Sequence, residues 1–162
     1  MSRGRNDVPN VIARPTLILF VALVAGLVLD QLYPAGYIAQ IAPTLRYLAA
    51  GCALAAGVAL LGAAAAEMHR KGTNIPTSAP TLALATRGGY GLSRNPIYLA
   101  FVILMMAFGL AFASDGVFVM LVPFVLVTHF GVIRREEEYL LARFGAAYAD
   151  YMKQVPRYLL GI

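Results

Sequence analysis

Residues 96–113 read PIYLAFVILMMAFGLAFA, eighteen positions without one charged side chain. As a helix rising 1.5 Å per residue, that stretch covers about 27 Å, close to the roughly 30 Å of a hydrocarbon core. It is read as a membrane span. Immediately after it, Ser114-Asp115 is a tight turn, and residues 116–133 form a second apolar run, in which Pro123 removes one helical hydrogen bond and predicts a kink. Two apolar runs joined so closely describe a pair of antiparallel membrane helices.

Moving towards the N-terminus, residues 45–66 form another span rich in Ala and Gly, with Gly51, Ala55, Ala59 and Ala63 at four-residue spacing. Small residues at that spacing let a neighbouring helix approach closely, so this span is expected to be enclosed by others. Residues 15–32 form the first span, retained rather than cleaved as a signal peptide, with Asp30 at its far end. Pro34, Gly36 and Pro43 place a loop between these two. The expected fold is an all-α integral membrane bundle of about four spans (15–32, 45–66, 96–113 and 116–133) in one domain covering residues 1–162.

Composition agrees with that fold. The 162 residues are 60% hydrophobic and only 13% charged, with a mean hydropathy of +0.71, whereas soluble domains carry about 25% charge. Twelve of the thirteen Lys and Arg residues fall in the tail 1–14, the segment 67–95 and the tail 134–162; only Arg46 falls on the other side. The positive-inside rule therefore puts both ends and the segment 67–95 in the cytoplasm, as in a multi-pass protein of a bacterial inner membrane. The formal charge of +5 reflects this topology, and nucleic-acid binding is not expected. Cys52 stands alone, and His69 and His129 are isolated, so neither a disulfide nor a metal site is expected.

Two polar regions share the cytoplasmic side. In the first, Gly88-Gly89-Tyr90-Gly91-Leu92-Ser93-Arg94-Asn95-Pro96-Ile97-Tyr98, three glycines permit an irregular turn and Pro96 suits the first turn of the span that follows. The glycine spacing matches neither Walker nor dinucleotide-binding loops. In the second, Arg134-Arg135-Glu136-Glu137-Glu138 opens a stretch whose Leu140, Leu141, Phe144, Tyr148 and Tyr151 recur at helical intervals. That spacing predicts an amphipathic helix continuing the last span or lying at the membrane surface. Ser93 has no evident base beside it in sequence.

Three pieces in order resemble the isoprenylcysteine carboxyl methyltransferase and phospholipid methyltransferase group of membrane enzymes. They are Gly72-Thr73 followed by Pro76; Gly88-x-Tyr90-x-x-Ser93-Arg94-Asn95-Pro96-x-Tyr98-Leu99; and Glu136-Glu137-x-x-Leu140-x-x-x-Phe144-Gly145-x-x-Tyr148-x-x-Tyr151, with Val155-Pro156-Arg157 after it. Asn95 stands where the isoprenylcysteine enzymes typically have His, and Ala100 where the family often has Gly, which tells against a prenylated-cysteine substrate.

The resemblance implies S-adenosylmethionine bound on the cytoplasmic side and a lipophilic acceptor reaching it from the bilayer. The cofactor carries a carboxylate, an ammonium, ribose hydroxyls, a purine and a sulfonium. Its pocket therefore wants a cation, carboxylates and aromatic faces, which Tyr90, Arg94, Asn95, Pro96, Tyr98, Leu99, Glu136, Glu137, Tyr148 and Tyr151 offer between them. For the acceptor, Arg134 or Arg157 suits a carboxylate, while Glu136 or His129 suits an amine or hydroxyl that must lose a proton. The competing readings are a non-catalytic membrane protein or small transporter, and an NADPH-dependent membrane reductase. Transport is disfavoured because no span carries an ionisable residue at its centre.

Overall fold

A computed structural model describes residues 8–73 and 80–159. Arg3, Arg5 and Pro76 lie outside the described residues. The fold consists of helices, with no strand among the described residues: α1 (Pro15–Leu32), α2 (Pro43–Arg70), α3 (Gly89–Leu92), α4 (Pro96–Phe112), α5 (Asp115–Thr128), α6 (Arg134–Phe144) and α7 (Ala146–Gln154). A 3-10 turn occupies Ile38–Gln40, and a π-helical turn, His129–Ile133, joins α5 to α6.

Three helices are long and apolar enough to cross a membrane: α1, α2 and the continuous run Asp115–Phe144. The fourth expected span, α4, is a shorter apolar helix of 17 residues. Its end has a clear cause. Ala113 takes a positive φ of 54°, its N–H reaches Leu110 O (3.3 Å), and Ser114 N–H reaches back to Gly109 O (2.8 Å). This is a Schellman cap, and it stops the helix one residue before the apolar stretch runs out.

The chain divides into two compact units. One contains Pro15–Ala59 and Tyr98–Thr128. Here α1 packs on α5 at glycines: a Cβ added at Gly26 would lie 2.7 Å from Val117 Cα, and one added at Gly116 would collide with the carbonyl oxygen of Gly26. Asp30 closes the same contact from the end of α1. Its carboxylate accepts from Gly116 N (2.7 Å) and from the Ser114 hydroxyl, whose oxygen in turn accepts from Val117 N (3.0 Å). Asp30 and Ser114 thus satisfy one amide each in the first turn of α5, as helix N-termini require. Asp115 accepts from Tyr37 N (2.8 Å) and Ile38 N (2.9 Å), so the loop before α2 is tied to the same place.

The expectation that the small-residue stripe of α2 is enclosed is not met. Gly51, Ala55, Ala59 and Ala63 are exposed, and no atom lies within 4 Å of a Cβ built at Gly51. The close approach is made one face away, where Gly57 meets Leu104 and Ala64 is fully buried.

The second unit comprises the described residues of 1–14, Leu60–Ile97 and the chain from His129 onward. The amphipathic region after the last span is two helices rather than one. Gly145, at φ 54°, turns the chain between α6 and α7, a backbone angle that side chains rarely tolerate. Gly88, at φ 59°, starts the irregular turn before α3, and Gly89 fits against Ala64 and Pro96, where a Cβ would come within 3.3 Å of both.

The α1–α5 contact yields a direct test. Gly116→Ala forces the helices apart and is expected to lower stability by about 1–3 kcal/mol, as overpacking does. Thermal unfolding of the detergent-purified variant measures it.

Candidate active site

Within the second unit, the two polar regions of the sequence meet, and the tail after α7 binds them together. Glu137 on α6 is the centre, with only 7% of its side chain exposed. Its carboxylate accepts from Arg157 Nη2 (2.7 Å) and from Arg157 Nε (3.0 Å to one oxygen, 3.2 Å to the other). Asn95 Nδ2 approaches the same carboxylate at 3.5 Å and Arg94 Nη2 at 3.4 Å. The hydrogen bonds to Glu137 push the Arg157 guanidinium further up from its already high range.

The loop before α4 reads the backbone of the tail. Arg94 N–H donates to Pro156 O (2.9 Å), Ser93 Oγ to Arg157 O (2.8 Å) and Asn95 Nδ2 to the same carbonyl (3.2 Å). Ser93 also accepts from Asn95 N–H at 3.0 Å, an ST-turn that holds the loop in shape. Pro96 is fully buried and begins α4 at this point.

Beside the ionic cluster lies an aromatic group. Tyr148 and Tyr151 of α7 are both buried, with ring centroids 5.9 Å apart. Tyr151 OH donates to Tyr90 O (2.7 Å), and Tyr90 OH reaches Met68 Sδ (3.1 Å) at the end of α2. Burial pushes all three phenols well above the usual range, with Glu136 adding to the effect at Tyr90, so they stay protonated donors. Glu67 anchors the approach to this group through a bidentate pair with Arg70 (2.8 and 2.9 Å).

One feature of the cluster stands unsatisfied. The Arg94 side chain is nine-tenths buried, yet its Nε and Nη1 have no hydrogen-bond partner among the described residues. Buried donors of a charged group are costly to leave unpaired. The immediate cluster also contains two guanidinium groups against one carboxylate, so its excess charge is positive. Unpaired donors on a buried cation suit an oxyanion chemically.

Of the expected site residues, Tyr90, Arg94, Asn95, Pro96, Glu137, Tyr148, Tyr151 and Arg157 therefore belong to one unit and one network, and Glu136 lies half-buried beside the tyrosines. His129 joins them at the π-turn, where its Nδ1 meets Tyr158 OH at 2.6 Å. Arg134 is exposed, its guanidinium 6.0 Å from the Phe130 ring. Tyr98 and Leu99 fall in the other unit, where Tyr98 is buried edge-on against Phe101. Among the described residues no three His, Cys, Asp or Glu side chains converge as metal ligands.

Sequence reasoning missed Ser93, Met68 and Tyr158. The Ser-x-Asn spacing ahead of a proline was the available signal for Ser93, because a hydroxyl there closes a turn on the amide two residues on. Nothing comparable marks Tyr158.

Helices long and apolar enough to cross a membrane mark the chain as a membrane protein. The sequence profile of the phospholipid methyltransferase family matches residues 45–147, and the chain belongs to that family. It is a membrane methyltransferase. The match ends before Tyr148, Tyr151, Arg157 and Tyr158, which the fold adds to the site. No curated protein and no solved structure matches the chain.

The two acidic pairs of this region should behave very differently. Glu137→Gln leaves Arg157 and Arg94 without a counter-charge, and a loss of about 2–4 kcal/mol is expected, since removing one partner of a buried pair strands the other. Asp150→Asn removes a pair to Lys153 in which both side chains are largely exposed, and is expected to change stability by less than about 0.5 kcal/mol. Thermal melts of the two variants side by side check the contrast.

Proposed function

We propose that this protein transfers a methyl group from S-adenosylmethionine to a lipophilic acceptor, working at the cytoplasmic face of the membrane as a multi-pass protein with both ends inside. The observation that carries the cofactor assignment is Arg94. Its two unpaired, buried nitrogens and the positive excess around Glu137 suit the carboxylate of the methionyl part. When bound, S-adenosylmethionine supplies an electrophilic methyl on a sulfonium.

The chain's own residues do the rest by placement. Glu137 holds Arg94 and Arg157 in position, and Asn95 fixes the loop through the Arg157 carbonyl. Tyr90, Tyr148 and Tyr151 supply aromatic faces for a purine or a sulfonium, the latter by cation–π attraction. Methyl transfer needs no covalent enzyme intermediate. Holding donor and acceptor at near-attack distance contributes roughly 7–11 kcal/mol in favourable cases, and the rigid network around Glu137 is suited to that task. The acceptor reaches the site from the bilayer, in keeping with a membrane family and with the apolar surfaces of the spanning helices.

S-adenosylhomocysteine tests the reading. At about a hundred times its dissociation constant it is expected to stabilise the detergent-purified protein by roughly 2.7 kcal/mol. Arg94→Ala is expected to weaken binding by about 1.5–3 kcal/mol, roughly 10- to 100-fold, through loss of a charged donor pair. A folded wild-type protein that gains no stability from the ligand overturns the assignment.

A further inference from the structure

Of the four residues considered for handling the acceptor, Glu136 lies half-buried beside Tyr90 and Tyr148, and the other three do not remain equivalent in the structure. Arg157 is engaged by Glu137 through both Nε and Nη2, and Arg134 is exposed with its charge over the Phe130 ring. Neither is a free, enclosed cation waiting for an acceptor carboxylate. His129 is placed differently. It sits on the π-helical turn, an irregularity common at functional sites, where α5 passes into α6.

Its ring is packed edge-on to Phe130 at 4.6 Å between centroids and lies 6.0 Å from the Tyr158 ring. Nδ1 is bonded to Tyr158 OH at 2.6 Å, while Nε2 has no protein partner among the described residues. The charged groups acting on it are Arg134 and Glu137 from its own helical run and Arg157 from the tail, which also carries Tyr158. An imidazole in an apolar stretch, with one nitrogen fixed and the other open, is arranged to exchange a proton.

We propose that His129 and Tyr158 form the proton-accepting pair of the transfer site, with Tyr158 as its positioning residue, and that the acceptor is consequently a lipophilic molecule whose nucleophile gives up a proton. This rests on the methyltransfer reading above. The nitrogen or oxygen of the acceptor forms its bond to the methyl carbon as the carbon–sulfur bond breaks and leaves its electrons on sulfur. The acceptor's proton goes to the pair.

Whichever neutral tautomer is populated, uptake of one proton gives an imidazolium whose Nδ1–H donates to Tyr158 Oη. The proton then passes to water. Burial pushes the Tyr158 phenol up from its ordinary range, so the hydroxyl remains a neutral partner throughout. A carboxylate acceptor has no proton to lose and makes no use of this pair.

The test compares wild type, His129→Gln and Tyr158→Phe, using labelled S-adenosylmethionine with dodecylamine, dodecanol and dodecanoate as probes in detergent. Transfer to the amine or the alcohol is expected, with little to the carboxylate. His129→Gln lowers kcat by roughly a hundredfold or more and Tyr158→Phe by roughly tenfold, with KM for the cofactor within about twofold. In wild type kcat falls as pH drops through the pKa of the pair, and that limb is lost in His129→Gln.

A second readout is independent of turnover. With only His69 and His129 in the chain, nitrogen-15 spectra of labelled histidine report the ring directly, and Tyr158→Phe shifts the His129 Nδ1 signal. Stabilisation by S-adenosylhomocysteine is retained in both variants, which separates this proposal from the cofactor assignment. Preference for dodecanoate, no transfer to amine or alcohol, unchanged kcat in both variants, or lost ligand stabilisation in Tyr158→Phe each overturns it.

Discussion

Glu137 faces two arginines at once in a place largely closed to water, and the second unit is assembled around that necessity. A lone carboxylate with 7% of its side chain exposed is costly, and so is a lone guanidinium. Bringing them together requires α6, the loop before α4 and the tail after α7 to converge. The backbone bonds from Ser93, Arg94 and Asn95 to Pro156 and Arg157 then fix the tail at the distance that the ion pair needs. The loop and tail are ordered by charge and by carbonyl recognition, and only secondarily by apolar burial. This explains how the site is held although little of the long helices is buried within the structure.

The apolar unit is held by a different device. The α1 and α5 backbones touch through Gly26 and Gly116, and Asp30 and Ser114 satisfy the first amides of α5. In lipid the hydrophobic effect offers little between helices, so close backbone contact and a buried hydrogen bond serve instead. The loop before α2 is secured by the same chemistry, through the Asp115 carboxylate and two backbone amides.

Much of this was legible in the sequence, for identifiable reasons. Helical membrane runs declare themselves because hydrocarbon tolerates few charges, and Gly88 and Pro96 mark a turn and a helix start by backbone sterics alone. Arg94, Asn95, Glu137 and Arg157 were recognisable as a group through their order along the chain. Their partners were not, because a carboxylate chooses among several arginines by three-dimensional position. The packing face of α2 was misjudged for a similar reason: Gly51, Ala55 and Ala59 permit close approach but do not compel it, and Gly57, one face away, is where Leu104 arrives. Ala113 ended α4 early by adopting a backbone angle that alanine seldom takes, and Gly145 split the amphipathic stretch in two. Tyr158 was invisible, since its meaning comes entirely from His129.

The π-turn between α5 and α6 sets a constraint on chain length. Each residue in a helix advances the following side chains by about 100° and 1.5 Å. Shortening His129–Ile133 by one residue therefore turns α6 and carries Glu137 away from Arg94 and Asn95 on the loop before α4, with every side chain still chemically intact. Along this junction a substitution changes only the surroundings of one position, whereas an insertion or deletion turns every side chain of the helix that follows. Variation among descendants of this chain should accordingly be free in residue identity at the lipid-facing positions here and almost absent in residue number.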